Sequence, residues 1–157
     1  MRELVLLAVL VAAVGCAPVP IVVYDERGDR ASPMTELPAF VEEGCDLVGI
    51  ECVIEPDATS YGVVVMSLVN DLGGDKEART LMRDAPCRRV ANVEVDGTRD
   101  AEKVAHELGH MFGLGGSEAH VDDPDNVMHP SPGSELTDDQ QDTILEHAHL
   151  FGACLEG

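Results

Sequence analysis

Two histidines four residues apart, with a glutamate directly after the first, stand at His106-Glu107-Leu108-Gly109-His110. On a helix, side chains four apart share one face, so both imidazoles can reach a single ion at about 2.0–2.1 Å. A carboxylate beside the first ligand can lean over the metal without binding it. From there Glu107 can take a proton from a zinc-bound water, whose pKa the metal lowers towards about 7, and return it to a leaving amine. Two imidazoles do not complete a catalytic zinc site; three protein ligands plus water is the working arrangement. His120 is the next histidine and the first candidate for the third place, with Asp122, Asp123, His129 and Glu135 as alternatives. The competing reading of the motif is two solvated histidines on a surface helix.

The downstream residues narrow the choice. Gly113 stands three beyond His110, where the chain must leave the helix sharply and glycine supplies positive φ. His120-Val121-Asp122-Asp123-Pro124-Asp125-Asn126-Val127-Met128-His129-Pro130 follows after a loop. Here the sequence resembles the metzincins, and within them the matrixin-like bacterial enzymes, whose pattern is His-Glu-x-x-His-x-x-Gly-x-x-His followed by a methionine-containing turn. The resemblance is specific over residues 104–130 and looser over 136–151. Before residue 90 only the order of elements supports it.

The resemblance implies a zinc-dependent endopeptidase acting on a polypeptide, with one catalytic Zn2+ held by His106, His110 and His120. It makes Glu107 the general base and Met128 a hydrophobic floor that does not coordinate. It also implies an extended substrate added to a sheet edge above the cleft, and a substrate pocket shaped by residues 129–134. The implied fold is an α+β, metzincin-like zincin: a small mixed β-sheet with an N-terminal helix, an active-site helix and a C-terminal helix. One departure stands out. The strict pattern places the third ligand at position 116, which is Gly116, and His120 lies four further on. Four extra loop residues cost little entropy and can bulge outward while returning the histidine to the metal. A gluzincin would use Glu135 instead, which leaves Gly113 and Met128 without a purpose.

The elements that must carry these groups can be read from periodicity. Residues 21–24 form a short strand stopped by the charged turn at 25–29. Residues 35–48 place Leu37, Phe40, Val41, Cys45 and Val48 at helical spacing. Residues 50–54 and 61–69 are β-branched runs that read as buried strands, and 70–74 is a turn. Residues 90–95 alternate, with Ala91, Val93 and Val95 on one face. A helix then runs over about 101–112, capped by Thr98 or Asp100 and ended by Gly113. Residues 113–132 form a long irregular loop of the functional kind. Thr137 can cap a last helix whose apolar stripe is Ile144, Leu145, Ala148 and Leu150 or Phe151.

Composition bounds what such a chain can do. Its 157 residues are 45% hydrophobic and 3% aromatic with no tryptophan, which suits one domain, residues 18–157, with an aliphatic core. Asp+Glu number 30 against 10 Lys+Arg, for a formal charge of −20. That charge repels phosphate backbones and anionic lipid, so no nucleic-acid partner is expected. A membrane is then reached only through a lipid anchor, and a monomer is expected. Asp122, Asp123 and Asp125 could gather Ca2+, although solvated loop acids are the plainer reading.

Residues 1–15 differ from the rest. The apolar run at 4–15 spans about 18 Å as a helix, short of a bilayer core of about 30 Å, which suits an export signal. It ends in Ala13-Val14-Gly15-Cys16, similar to a bacterial lipoprotein cleavage box except that Ala13 replaces the usual leucine. Cys16 is then lipidated and the protein sits on the cell envelope; ordinary secretion is the alternative. Cys45, Cys52, Cys87 and Cys154 remain, an even number in an oxidising setting. Three pairings are open, and Cys45 with Cys52 and Cys87 with Cys154 is preferred because the first pair is close in sequence. Two rivals to the enzyme remain: a catalytically silent zinc-binding lipoprotein that recognises peptides, and a structural lipoprotein without metal.

Overall fold

The computed structural model describes residues 18–28, 32–55, 63–70, 78–81, 88–115 and 120–153. The expected export signal at 1–15, Cys16, Cys87, Cys154 and the loop residues 116–119 lie outside these. Six strands form one mixed sheet: β1 (Val19–Asp25), β2 (Ser32–Pro33), β3 (Cys52–Ile54), β4 (Val63–Val69), β5 (Ala78–Leu81) and β6 (Arg88–Glu94). β1, β3, β4 and β6 run parallel, with β1 between β3 and β4 and β4 beside β6. β5 is antiparallel to β6 at the end of the sheet, and β2 adds a two-residue antiparallel pairing to β1. The helices are α1 (Ala39–Leu47), α2 (Asp100–Met111) and α3 (Asp138–Ala153). The α+β class and the small mixed sheet with three helices are as the sequence implied.

The β-branched runs alternate as pleated strands must, and that alternation sorts their side chains. Ile21, Val23, Val64, Met66, Leu68, Ala91 and Val93 point to the helical side, where they meet Val41, Val104 and Leu108. Val22, Val63 and Val65 lie in a separate cluster with Tyr24 and Val90. The core is aliphatic as composition demands. Phe112 and Phe151 are its buried aromatic members, and they meet edge to face at 5.6 Å, joining the end of α2 to α3. The stripe of α3 resolves to Ile144, Ala148 and Phe151, with Leu145 half-buried against the same core, while Leu150 is 57% exposed.

The structure departs from the sequence expectation at α1, β2 and β5. α1 begins at Ala39 rather than 35, because Pro38 keeps Leu37 out of helical conformation and itself stands extended at the N-cap. β5 and β2 were not anticipated, since Ala78-Arg79-Thr80-Leu81 shows neither an apolar run nor alternation. β5 owes its identity to backbone pairing with β6. Cys45 and Cys52 form a disulfide that ties α1 to β3, as proximity in sequence suggested. Among the described residues no helix is long and apolar enough to cross a membrane.

Candidate metal centre

α2 presents His106 and His110 from one face, one turn apart. Its N-terminus is set by Arg99, which adopts left-handed backbone geometry at φ 53°, while neither Thr98 nor Asp100 caps it. The Asp100 carboxylate instead turns back to accept from the Asp96 and Gly97 amides. α2 stops where Gly113 takes φ 104°. The Leu114 amide then returns to the Gly109 carbonyl at 2.9 Å. This reversal also places the Leu114 carbonyl 2.7 Å from Nδ1 of His110.

Beyond the loop, Val121 donates to the Met128 carbonyl at 3.2 Å, which lays His120 beside the methionine turn. That turn folds on the buried Asn126. Its Oδ1 accepts from the Met128 amide at 2.8 Å, and its carbonyl accepts from the amides of His129 and Gly133. The Val127 carbonyl lies 2.7 Å from Nδ1 of His106. Met128 is fully buried beneath α2, and a methyl group at Gly109 would stand 2.6 Å from its sulfur. Glycine at 109 is what admits the methionine so close to the helix.

The three Nε2 atoms converge. They are 3.0 Å apart between His106 and His110, and 3.2 Å from each of these to His120. His106 is buried, His110 half-buried and His120 exposed. An ion bound tetrahedrally at about 2.0–2.1 Å needs such nitrogens about 3.3 Å apart, so the triangle fits a metal. The chemistry of the donors agrees. Carbonyl oxygens only accept, so His106 and His110 each carry their proton on Nδ1 and leave a bare lone pair on Nε2. Burial pushes the pKa of His106 down to about 4, against the opposing pull of the Val127 carbonyl, and also lowers that of His110. Two neutral imidazoles facing lone pair to lone pair at 3.0 Å repel each other unless a cation lies between them.

Among the described residues no other group of three or more His, Cys, Asp or Glu side chains converges like this. Asp122, Asp123, His129 and Glu135 therefore stay outside the triad, and Asp122, Asp123 and Asp125 do not assemble a calcium cluster. Asp123 caps its own turn, accepting from the Asp125 amide. Nδ1 of His129 accepts from the Ser131 amide. Glu107 is buried in α2 beside His106, at 2% exposure. The sequence did not point to the Leu114 and Val127 carbonyls, to Asn126, or to Gln140, whose amide pairs with that of Asn126. Asn two residues before the amide it binds is an Asx-turn signal, and Gln140 three after Thr137 is a capping-box signal. The two carbonyls leave no trace in residue type.

Two predictions arise from this geometry. In the metal-free protein, the pKa of His106 rises from about 4 when folded to about 6.5 when unfolded. The unfolded chain then binds more protons between those values, so stability falls as pH drops from about 6.5 to about 4. This residue alone removes up to about 3 kcal/mol. Denaturant titrations of the metal-free protein across that window should show the loss, and His106→Gln should flatten the slope; equal slopes in both proteins would contradict it. Gly113→Ala forces an L side chain into φ 104°, with the added methyl 2.6 Å from the His147 ring. It should cost about 2 kcal/mol in thermal or chemical unfolding; an unchanged midpoint would show that the turn tolerates a side chain.

Comparison with protein-family models, with curated proteins and with solved structures gave no match. The functional reading therefore rests on the site and the fold that carries it.

Proposed function

We propose that the protein is a zinc-dependent endopeptidase of the metzincin type. The observation that carries this reading is the convergence at 3.0–3.2 Å of His106 and His110, from a helix that also holds Glu107, with His120 from beyond the following loop. Three imidazoles with both carbonyl-fixed members neutral suit zinc better than harder, oxygen-seeking cations. Bound zinc supplies Lewis acidity, polarising a carbonyl and lowering the pKa of a water. The rest falls to the chain. The Glu107 carboxylate takes the proton of the attacking water as the C–O bond forms, and gives it to the amine nitrogen as the C–N bond breaks. Met128 closes the floor, and the Leu114 and Val127 carbonyls hold two ligand rings in place.

The sheet supports a polypeptide substrate. β5 is its antiparallel end strand, pairing with β6, and α2 packs near both strands. An extended chain can continue such an edge by backbone hydrogen bonds. The Cys45–Cys52 disulfide points to an oxidising, exported setting. Residues 1–15 as export signal and Cys16 as lipid attachment point complete that proposal, and the intact mass of the protein from a bacterial host tests it. For the activity, the zinc-loaded protein is incubated with a diverse peptide library and the products are sequenced by mass spectrometry. Internal cleavages are expected. One equivalent of bound zinc with no cleavage would leave a silent, metal-holding recognition module in place of the enzyme.

A further inference from the structure

The peptide unit joining Val127 to Met128 is held from both sides. Its carbonyl faces Nδ1 of His106 at 2.7 Å, and its N–H donates to Oδ1 of Asn126 at 2.8 Å. A peptide unit is planar, so whatever fixes the N–H also aims the carbonyl. Asn126 is itself 4% exposed, and its amide is oriented by a reciprocal pair with Gln140. Nδ2 of Asn126 donates to Oε1 of Gln140 at 2.8 Å, and Nε2 of Gln140 donates back to Oδ1 at 3.4 Å. The same Oε1 accepts from the Thr137 amide at 3.0 Å, and the Gln140 amide donates to Oγ1 of Thr137 at 3.2 Å. The capping box that starts α3 thus continues, through one buried amide and one peptide plane, to the first metal ligand.

We infer that Asn126 and Gln140 are positioning residues for the metal, acting as a relay by which the first turn of α3 sets the aim of His106. This rests on the metal-binding reading above. The alternative is a generic brace, in which Gln140 merely stabilises α3. Partners that orient a ligating histidine typically matter by about 10–100-fold in metal affinity, whereas a helix cap matters for stability alone.

The test is a zinc dissociation constant for the full-length protein, measured by competition with a chromophoric chelator. Gln140→Met removes the acceptor that serves Asn126 and should weaken zinc about tenfold. Gln140→Glu keeps an oxygen for both Asn126 and Thr137, exchanges the long 3.4 Å donation for an oxygen facing Oδ1, and should weaken zinc clearly less than the truncation, by about threefold or less. Thr137→Ala removes the hydroxyl cap but leaves its own amide bonded to Gln140. It should lower the melting temperature and leave zinc affinity unchanged. Gln140→Ala is the second truncation if the methionine variant does not fold. Zinc affinity unchanged in the truncations, or lowered equally by Thr137→Ala, would overturn the relay, as would failure of both truncations to fold while Thr137→Ala folds. Wild-type protein that binds no zinc at all would instead remove the metal-binding reading itself.

Discussion

Replacing His120 by alanine should abolish binding of a zinc equivalent and, with it, peptide hydrolysis. The remaining pair, His106 and His110, are 3.0 Å apart at Nε2, and two nitrogens rarely hold a catalytic zinc, for which three protein ligands are the rule. The loss should be large because no described residue nearby completes the triad in its place. Among the described residues no other histidine, cysteine or carboxylate joins the triad. Asp123 is engaged in its turn and His129 with Ser131. His120 is exposed while His106 is buried, so the substitution removes a ligand without opening the core, and the fold should survive. Elemental analysis after dialysis, beside the double variant Asp122→Ala, Asp123→Ala, measures this. Wild-type zinc content in His120→Ala would send the third ligand elsewhere and break the triad. Metal loss should also lower the melting temperature of the loaded protein, since binding to the folded state alone adds to its stability.

The second large effect concerns Glu107. Glu107→Gln keeps the shape of a buried side chain that is 2% exposed but removes its ability to accept a proton. Hydrolysis should fall by at least about 10²-fold, the scale of lost general-base catalysis, while zinc stays near one equivalent. The combination is diagnostic. Parallel loss of zinc would mean that Glu107 supports the ligands rather than the proton transfer, and unchanged turnover would take it out of the reaction.

Much of the site was legible because it obeys helical periodicity. His106 and His110 share a face whatever the tertiary structure, and Gly113 could be placed at a left-handed turn because helices end that way. His120 was a choice among five residues that sequence could not close, since the loop before it departs from the family spacing. The fold brings His120 to the other two histidines beside the Val121 to Met128 hydrogen bond, a backbone contact with no signature in residue type. β5 escaped for a related reason. A short edge strand carries no core face to impose alternation, so only its partner β6 defines it. Leu37 fits the apolar stripe and so extends the expected helix to residue 35, although the following proline disfavours a helical backbone there and α1 begins at Ala39. The carbonyls that orient the ligand rings belong to the backbone, and no residue type announces them.

We propose that these three histidines hold a zinc ion that the chain uses to cut polypeptides. The most direct measurement strips the protein with chelator and restores zinc stepwise while the cleavage of a peptide identified from the library is followed. Activity should rise from background in proportion to added zinc and saturate at one equivalent, with Glu107→Gln binding the same equivalent and remaining inactive. Cleavage that persists in the stripped protein, or that never appears when one equivalent is bound, would contradict it.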